Sequence, residues 1–545
     1  MSYDNGVLKQ HWDVVVIGTG MGGATIGYAL ARKGKRVLFC EKGRSPLLDG
    51  SAIRGAYVEE TFPRPEVAQG NYAQRLFLGG RCRDEWTDGA SARNVRFVPY
   101  IGNGAGGSSA LYGMAMERFS PRDFTPGSRG RNAPHDSSAS SWPITYEQLA
   151  PYYEAAERLY RVRGEGNATR GDDRMGYVGP PPPLSPAARE LCELFQRKGL
   201  HPYRLPVACE LVPDCTGCQG FLCARNCKND SGRACLAPAM DRGAALLDEF
   251  EVLNLEADAH RVSGALGVWR GRQVTLSADV FVLAAGALET PRILLRSASP
   301  VWRRGLANES GLVGKNLMRH LIDLWLVFTA ARPGPADYTK EIAFNDLYDA
   351  DESRLGSVQS FGRLPPARSM LREMSEDARR GPFPPLAMML NGVRPLLEPF
   401  IGAVFSRGIV LASIVEDFPY PENQVTVNDA AHRPRGFHYR IREPERRRIA
   451  LMRDRMKGLL KPHRHLLIRQ AENNRRLAHA CGTCRFGHDP RTSVLDASNR
   501  AHGISNLYVV DGSFFPSSGG TNPGLTIAAN ALRVADIVVP GTIRR

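Results

Sequence analysis

The sequence contains no hydrophobic run long enough to cross a membrane. Apolar residues make up 43% of its 545 residues, but they occur in strand-length runs such as 14–17, far short of the roughly 20 residues that span a bilayer. The segment from Met1 to Gln10 is mostly polar, and the apolar run after it stops at a glycine loop, unlike a secretory signal. We therefore expect a cytoplasmic protein without a membrane span.

Dense basic runs are also absent, although Lys and Arg outnumber Asp and Glu by 71 to 56 and give a net charge of +15. The arginines are scattered, and short clusters such as 446–448 and 475–476 have no interleaved aromatic residues. Such clusters are typical of solvated surfaces rather than of nucleic-acid sites. We expect no nucleic-acid partner, whereas an anionic substrate or partner remains open.

A disulfide framework is not expected either, because eleven cysteines is an odd number in a long chain without a sign of secretion. Five cysteines crowd one stretch in the pattern C-x2-C-x4-C-x3-C-x7-C: Cys215, Cys218, Cys223, Cys227 and Cys235. Thiolates that converge from one loop can hold an iron–sulfur cluster or a structural zinc, and the first four are the candidate ligands. Reduced thiols packed in a loop are the alternative, so no metal is firmly assigned.

The N-terminus contains a nucleotide-binding pattern. A β-branched run, 14–17, precedes a GxGxxG loop formed by Gly18, Gly20 and Gly23, and a helical pattern follows. A second strand pattern ends at Glu41, about twenty residues beyond the turn, where a dinucleotide fold places an acid for the ribose hydroxyls. Gly18 permits the tight turn, Gly20 lets the backbone approach a pyrophosphate, and Gly23 lets the helix pack on the strand. This pattern alone fits FAD and NAD equally.

The C-terminus repeats the same arrangement. A strand pattern over 506–510 runs into Asp511 and Gly512, a loop rich in Gly, Ser and Pro follows, and 528–537 is typical of an amphipathic helix. The start of a helix carries positive potential that favours an anion. The final segment therefore predicts a second helix N-terminus that faces an anionic group.

Together with further motifs, the two ends make the sequence resemble the glucose–methanol–choline (GMC) oxidoreductases. Besides 18–41, the matching segments in chain order are 106–113 (GGSSALYG), 142–146 (WPITY), 257–259 (ADA), 282–287 (VLAAGA), 314–320 (GKNLMRH) and 479–523, which begins HACGTC. The resemblance covers nearly the whole chain. It implies FAD as the cofactor and an alcohol as the small-molecule substrate.

The resemblance also implies an α/β fold with two regions, and a single core is not expected because cores stop growing at roughly 250–300 residues. A discontinuous Rossmann-like FAD-binding domain is predicted from 1–125, 184–324 and 473–545. The segments 126–183 and 325–472 are predicted to form a substrate-binding α+β domain, a sheet covered by helices, together with excursions over the active site.

The matching motifs imply which residues contact FAD. Besides Gly18, Gly20, Gly23 and Glu41, they are Gly106, Gly107, Ser108, Ala259, Ala285, Gly286, Asp511, Gly512, Asn522 and Pro523. Some family members bind FAD covalently through a histidine shortly after the paired glycines. Because the stretch 108–111 reads Ser-Ser-Ala-Leu here, we expect non-covalent FAD.

Two residues near the C-terminus are predicted to be catalytic. The family places a histidine just before a Gly-Thr-Cys and a histidine or asparagine just after the closing Gly-Gly, which correspond to His479 and Asn522. Oxidation of an alcohol needs a base for the hydroxyl proton, and the pKa of a histidine suits this role. We predict His479 as the base and Asn522 as the donor that holds the developing alkoxide. His320, at the end of the GKNLMRH motif, is a weaker candidate.

The predicted function is FAD-dependent oxidation of a CH–OH group to a carbonyl, with the proton taken by His479 and a hydride delivered to flavin N5. The electron acceptor remains open among oxygen, a quinone and a cytochrome-bearing partner. One alternative is an NAD(P)H-dependent flavin monooxygenase, although no second GxGxxG unit for a nicotinamide cofactor is evident. The other is a non-catalytic flavin-binding paralogue, which the presence of His479 and Asn522 disfavours.

Overall fold

The computed structural model describes residues 5–45, 50–61, 72–91, 95–124, 134, 137–166, 175–213, 215, 217–331, 333–334, 340–348, 354–380, 385–427 and 435–540. The strands are β1 (Trp12–Ile17), β2 (Val37–Cys40), β3 (Trp86–Asp88), β4 (Val95–Phe97), β5 (Tyr203–Arg204), β6 (Ala245–Leu247), β7 (Phe250–Ala257), β8 (Val262–Trp269), β9 (Arg272–Leu276), β10 (Ala278–Leu283), β11 (Leu321–Val327), β12 (Ile342–Phe344), β13 (Val358–Ser360), β14 (Ile409–Val415), β15 (Gln424–Thr426), β16 (Arg435–His438), β17 (His465–Ile468) and β18 (Leu507–Val509). The helices are α1 (Asn5–Lys9), α2 (Met21–Arg32), α3 (Tyr72–Leu78), α4 (Tyr146–Leu159), α5 (Pro186–Arg197), α6 (Ala237–Met240), α7 (Gly286–Arg296), α8 (Ala367–Arg380), α9 (Pro385–Phe405), α10 (Glu443–Leu460) and α11 (Gly524–Val538). Within these ranges, no helix is long and apolar enough to cross a membrane.

The first layer is a parallel sheet with the strand order β18-β10-β1-β2-β6. Its strands are almost fully buried, as a parallel sheet with helices on its faces requires, and Val15 and Val16 have no exposed surface. Helix α11 packs on both α2 and α4. Because the five strands come from distant parts of the chain, the structure confirms the predicted α/β class with a discontinuous Rossmann-like domain. The ends of these strands, where Gly18, Glu41 and Asp511 lie, are called the carboxyl edge below.

A three-stranded antiparallel meander, β7-β8-β9, follows β6, an edge strand of this sheet. It starts at the carboxyl edge, where the N–H of Phe250 donates to the carbonyl oxygen of Glu41 at 3.0 Å. Strand β7 then runs to the opposite edge of the sheet. There the N–H of Val262, the first residue of β8, donates to the side-chain oxygen of Asn506 at 2.8 Å. Since Asn506 directly precedes β18, the turn between β7 and β8 lies at the amino ends of the parallel strands.

The second layer is a six-stranded antiparallel sheet with the order β17-β11-β14-β13-β12-β5. Its outer face forms a core with α5 and α10, which includes Leu191, Trp325 and Ile449. Its inner face turns toward the first layer, where Ala343 packs with Ala115. The structure therefore confirms a sheet covered by helices, with β14 among its strands and α10 among its helices. A small sheet, β15-β16-β3-β4, completes the fold.

The packing differs from the predicted domain division in two places. Helix α4, from the predicted substrate region, packs on α11, and its Leu149 and Tyr153 belong to the core of the parallel sheet. Helix α5 and strand β5, from the predicted FAD region, join the six-stranded sheet and its core. The sequence shows that a helix has an apolar face but not which sheet that face covers. The boundary at 125/126 lies outside the described residues, and the remaining boundaries stay a prediction.

Candidate active site

The glycine loop after β1 permits close approach to its backbone. Gly18 has a φ of 99°, and a Cβ there would lie 2.4 Å from the carbonyl oxygen of Ala284. A Cβ on Gly23 would lie 2.0 Å from the carbonyl oxygen of Gly18, so only glycine lets α2 pack on the loop. At Gly20, by contrast, a Cβ would meet nothing within 4 Å. This open space, together with the N–H groups at the start of α2, fits a pyrophosphate.

Glu41 directly follows β2 and lies beside the glycine loop. Its carboxylate accepts hydrogen bonds from the N–H and the hydroxyl of Thr19, at 3.1 and 2.6 Å, and from the N–H of Gly43 at 3.0 Å. Burial raises the pKa of Glu41, and these hydrogen bonds offset part of that rise. The carboxylate is thus held at the carboxyl edge, in the position from which an acid accepts hydrogen bonds from ribose hydroxyls.

The loop over 102–110 lies against the glycine loop. Gly106 and Gly107 have φ angles of 88° and 51°, in the left-handed region that favours glycine. A Cβ on Gly107 would lie 2.9 Å from the Cα of Gly20, so the two loops are in contact. Ser108 is exposed, and its hydroxyl accepts a 3.0 Å hydrogen bond from an N–H of the same loop. The structure therefore brings Gly106, Gly107 and Ser108 to the predicted nucleotide residues.

Asp511 joins the ends of β10 and β18. Its carboxylate accepts hydrogen bonds from the N–H groups of Gly286 and Ser513, both at 2.9 Å. Gly286 is the first residue of α7, and Ala285 is the N-cap of that helix. Consequently Ala285, Gly286, Asp511 and Gly512 lie together at the carboxyl edge, as the motifs imply.

Ala259 lies elsewhere. It occupies an exposed turn between β7 and β8, next to His260, whose carbonyl oxygen accepts a 2.8 Å hydrogen bond from the N–H of Ser505. The structure does not bring Ala259 to the other predicted FAD residues, because β7 runs away from the carboxyl edge over its whole length. The part of the meander at that edge is the start of β7, at Phe250.

His479 and His320 form a hydrogen-bonded pair. Their Nδ1 atoms are 2.7 Å apart, and their ring planes are inclined by 82°. His320 Nε2 lies 3.1 and 3.0 Å from the carbonyl oxygens of Ser518 and Gly519. A carbonyl oxygen can only accept, so Nε2 of His320 carries its proton and Nδ1 of the neutral ring accepts. The Nδ1 atom of His479 is then the donor, and its Nε2 is unprotonated.

Burial keeps both rings neutral. Burial lowers the pKa of His320. Burial, the repulsion that a protonated His320 ring would add and the charge of Lys340 together hold the pKa of His479 well below its usual range. His479 also has a φ of 60°, a left-handed conformation that is uncommon for residues other than glycine and is concentrated at functional sites. The pair therefore presents a neutral base in a fixed orientation.

Asn522 ends the loop that holds His320. Its Oδ1 accepts a 3.0 Å hydrogen bond from Nε2 of Gln359 on β13. Pro523 is the N-cap of α11, and a Cβ on Gly524 would lie 3.5 Å from the side chain of Met21 at the start of α2. Asn522 and Pro523 thus lie where the N-termini of α2 and α11 meet, which adds positive potential to this part of the site.

Charged side chains line the side of the site where Asn522 lies. Glu117 is 2% exposed, and its carboxylate accepts a 2.7 Å hydrogen bond from the hydroxyl of Thr521 and another from the hydroxyl of Tyr203. Lys340 precedes β12 and is also buried. Burial lowers the pKa of Lys340 to about 8, although the charge of Glu117 opposes this shift.

A cluster of buried thiols lies apart from His479 and His320. The Sγ atoms of Cys209 and Cys215 are 3.9 Å apart, those of Cys215 and Cys227 are 3.7 Å apart, and those of Cys223 and Cys227 are 3.5 Å apart. Cys218 contacts Cys223 through its side chain. Four of these five cysteines are the candidate ligands that the spacing predicts, and all five are buried.

The structure adds a fifth cysteine to the four candidate ligands that the spacing predicts. Cys235 lies apart, with its Sγ 3.5 Å from the hydroxyl of Tyr160. Cys209 joins the four, because the chain returns on itself and Cys209 pairs with Lys228 in an antiparallel bridge. The ammonium of Lys228 donates to the carbonyl oxygens of Phe221 and Ala110, at 3.0 and 2.8 Å. A buried cation therefore lies between the thiols and the loop over 102–110.

Comparisons with known proteins identify the family. Models described as GMC oxidoreductase match residues 13–322 and 419–531. The chain belongs to the GMC oxidoreductase family. It is 31% identical to 6'''-hydroxyparomomycin C oxidase of Streptomyces lividus, over 97% of this chain and 92% of that one, and 28% identical to 2-methyl-1,2-propanediol dehydrogenase of Mycolicibacterium austroafricanum, over 96% and 95%. The structure of pyridoxine 4-oxidase from Mesorbium loti has a similar fold, with a TM-score of 0.64 at 20% identity over 97% of this chain and 99% of that one.

Membership of the family makes this protein an FAD-dependent oxidoreductase that acts on CH–OH donors. Sequence reasoning missed several residues that the structure brings to this site or to the thiol cluster. Cys209 lies just upstream of the cysteine motif and could have been found by including every neighbouring cysteine. Lys340 and Gln359 belong to no motif, since only the pairing of β12 with β13 brings them to the site.

Proposed function

We propose that this GMC oxidoreductase oxidises an alcohol to a carbonyl compound with His479 as the base and Asn522 as the donor to the substrate oxygen. The observation that supports the proposal most is the hydrogen-bonded pair of His479 and His320, next to the loop that carries Asn522. Bound FAD supplies the hydride acceptor. The residues at the carboxyl edge, including Gly18, Gly20 and Glu41, would hold its adenosine and pyrophosphate.

His479 acts through Nε2. Because Nδ1 donates to His320, the ring has a single tautomer, and Nε2 can take the proton of the substrate hydroxyl. As that O–H bond breaks, the C–H bond releases a hydride with both of its electrons, and the C=O bond forms. The low pKa of His479 then favours release of the proton, which returns the ring to its neutral state.

Asn522 orients the substrate oxygen. Its own oxygen is engaged by Gln359, so the amide group is turned with Nδ2 as the donor toward the substrate. A donor that is already oriented stabilises negative charge on the oxygen as the proton leaves. The N-terminus of α11 lies directly behind this group and adds to that stabilisation.

We propose that FAD is bound without a covalent link to the loop over 102–110. The residues after the paired glycines offer hydroxyl groups, and that of Ser109 donates to the carbonyl oxygen of Gly106 at 2.7 Å and contacts the hydroxyl of Ser231 at 2.9 Å. Precipitation of the holoenzyme with trichloroacetic acid should leave the flavin in the supernatant. Flavin that stays with the precipitate would overturn the proposal.

We further propose that the thiol cluster would hold an iron–sulfur centre, which would supply one-electron transfer toward a quinone or a cytochrome-bearing partner. Five buried thiols converge there, and the ammonium of Lys228 offsets the charge of thiolates while touching the loop over 102–110. A tetrahedral metal site with metal–sulfur bonds of 2.3 Å separates its sulfur atoms by about 3.8 Å, so zinc is the competing occupant. Iron and acid-labile sulfide in the purified protein would support the proposal, whereas zinc alone or no metal would overturn it.

We also propose a cytoplasmic location. Its support is the absence of any disulfide among the eleven cysteines, all of which lie in the described part of the chain and are buried. Such thiols persist in a reducing compartment. Cell fractionation with an epitope-tagged chain tests this proposal.

The central experiment is anaerobic mixing of the holoenzyme with a panel of alcohols while the flavin absorbance is followed. Bleaching by an alcohol is expected, and His479→Gln should slow it by about 10²- to 10⁴-fold without loss of flavin. His11→Gln, at an exposed position, is the matched control and should react like the wild type. A wild-type flavin that no alcohol reduces, or a His479→Gln variant with an unchanged rate, would overturn the proposal.

A further inference from the structure

One side of the candidate active site carries polar groups that the proposed oxidation does not use. Lys340 is 9% exposed, and within the described part of the chain its ammonium makes no hydrogen bond. Its charge acts on His479 and Glu117, and its Nζ lies 5.6 Å from the centre of the Phe361 ring. Because an ammonium in a largely buried position loses most of its hydration, Lys340 indicates a ligand group that can accept a hydrogen bond from it.

Two buried amide oxygens accompany Lys340, one beside its side chain and one on β13, which pairs with the strand that follows Lys340. Oε1 of Gln219 and Oε1 of Gln359 have no hydrogen-bond partner among the described residues. Oε1 of Gln219 and Cε of Lys340 each lie 2.3 Å from the point where a Cβ on Gly113 would sit, so the missing side chain makes room for both. Nε2 of Gln359 donates to Oδ1 of Asn522, so the unpaired oxygen of Gln359 belongs to an amide group in direct contact with Asn522.

We propose that Lys340, Gln219 and Gln359 form a subsite for a second hydroxyl group, adjacent to the one that is oxidised. The preferred substrate is then a vicinal diol or a polyol. This inference rests on the proposed function, since it requires that the alcohol reacts at His479 and Asn522. A hydroxyl both donates and accepts hydrogen bonds, so it can satisfy the ammonium and an amide oxygen at the same time.

Other substrate groups match this subsite less well. A carboxylate could accept from Lys340, but it could not donate to the two amide oxygens, and it would approach the carboxylate of Glu117. An apolar alcohol such as a sterol would leave all three polar groups buried and unpaired. The free-energy cost of those missing hydrogen bonds exceeds the gain from the apolar contacts. The donor and acceptor set therefore distinguishes polyols from sterols and from simple aliphatic alcohols.

The test compares pairs of alcohols of matched shape. Anaerobic flavin reduction is measured with 1-propanol against 1,2-propanediol, and with cyclohexylmethanol against methyl β-D-glucopyranoside. We expect the hydroxyl-rich member of each reactive pair to have a kcat/KM at least about 10-fold higher, since a hydrogen bond to a charged group discriminates by this order. Equal values, or a preference for the plain alcohol, would overturn the inference while leaving the proposed function intact.

Lys340→Met should remove the preference. We expect kcat/KM for the hydroxyl-rich alcohol to fall by about 10- to 100-fold, mainly through KM, while the plain alcohol changes by less than about 3-fold. Gln219→Leu, which retains the ammonium, should give a smaller loss in the same direction. Lys198→Met, at an exposed position, is the matched control. A loss that is equal for both alcohols would mean that Lys340 has only a structural role.

Two readouts separate this inference from the proposed function. The KM of the wild type for the hydroxyl-rich alcohol should rise above pH 8, where Lys340 loses its proton because its pKa is about 8, and Lys340→Met should lack this rise. Binding of methyl β-D-glucopyranoside to the His479→Gln holoenzyme, followed by the flavin absorbance, should weaken at least 10-fold with Lys340→Met added. If no alcohol reduces the flavin, the proposed function fails, and this binding measurement alone decides the subsite.

Discussion

A histidine can act as a base only when the nitrogen that faces the substrate is unprotonated, and in this GMC oxidoreductase His320 fixes that condition. Its Nε2 must donate to the carbonyl oxygens of Ser518 and Gly519, so its Nδ1 can only accept the proton of His479. The tautomer of the proposed base is therefore determined by two carbonyl groups that do not contact it. At the residue scale, the chemistry depends on this chain of hydrogen bonds.

Replacement of His320 tests the chain. His320→Phe keeps a flat ring but removes the acceptor, so the tautomer of His479 is no longer fixed, and we expect kcat to fall by about 10- to 100-fold with little change in KM. His320→Asn restores an acceptor near the position of Nδ1 and should recover part of the rate. Equal rates for the two variants would show that His320 acts only by packing.

The pH profile tests the environment of His479. Burial and the nearby charges lower its pKa, so the neutral, active form persists below the ordinary value of 6.5. With a plain alcohol such as 1-propanol, we expect kcat/KM to stay constant as the pH falls from 8 to 6.5 and to decrease only below that value, where His479 becomes protonated. Stopped-flow reduction across this range measures the effect, and an acid limb with a midpoint above 7 would contradict it.

At the scale of elements, glycine has two different roles where the glycine loop meets α2. Gly23 is needed for packing, because a Cβ there would overlap the carbonyl oxygen of Gly18 at 2.0 Å. Gly20 is not, since its φ of −67° suits any residue and a Cβ would meet nothing within 4 Å. Its side-chain position instead lies where the pyrophosphate of FAD is expected.

The two glycines should therefore respond differently to alanine. Gly23→Ala should lower the free energy of unfolding by about 1–3 kcal/mol, as overpacking does. Gly20→Ala should leave the apoprotein as stable as the wild type or up to about 1 kcal/mol more stable, yet weaken FAD binding by at least about 10-fold. Thermal unfolding of the apoproteins and titration with FAD measure the two effects. Apoproteins that lose equal stability would contradict the distinction.

At the scale of the whole molecule, the proposed FAD site is assembled from distant parts of the chain. The glycine loop, Glu41, the loop over 102–110, Asp511 and the start of α11 meet at the carboxyl edge. A ligand that contacts all of them binds only the folded chain. It should therefore stabilise the whole fold rather than one part of it.

Removal of FAD tests this coupling. Stabilisation by a ligand amounts to about 2.7 kcal/mol when its free concentration is 100 times its Kd, so the apoprotein should unfold at a clearly lower temperature. Addition of FAD should restore the midpoint in proportion to the logarithm of its concentration, whereas AMP, which lacks the flavin and one phosphate, should restore only part of it. A midpoint that does not depend on FAD would contradict the proposed site.

The sequence by itself determined the features that are local. The glycine loop with β1, α2 and β2 lies within 30 or so residues, and the turn after β18 with α11 is equally compact, so periodicity and glycine spacing predict both. Family motifs added the order of these units along the chain and therefore the α/β class and the cofactor. The catalytic proposal for His479 and Asn522 also came from motifs.

Only the tertiary structure decided what depends on contacts between distant residues. His320 and His479 are separated by 159 positions, and Lys340 and Gln359 reach the site through strand pairing that no local pattern specifies. For the same reason Cys209 joins the four predicted cysteines in the thiol cluster, and Ala259 lies at the far end of β7 rather than at the carboxyl edge. Sequence patterns record the neighbours of a residue along the chain, whereas packing selects its neighbours in space.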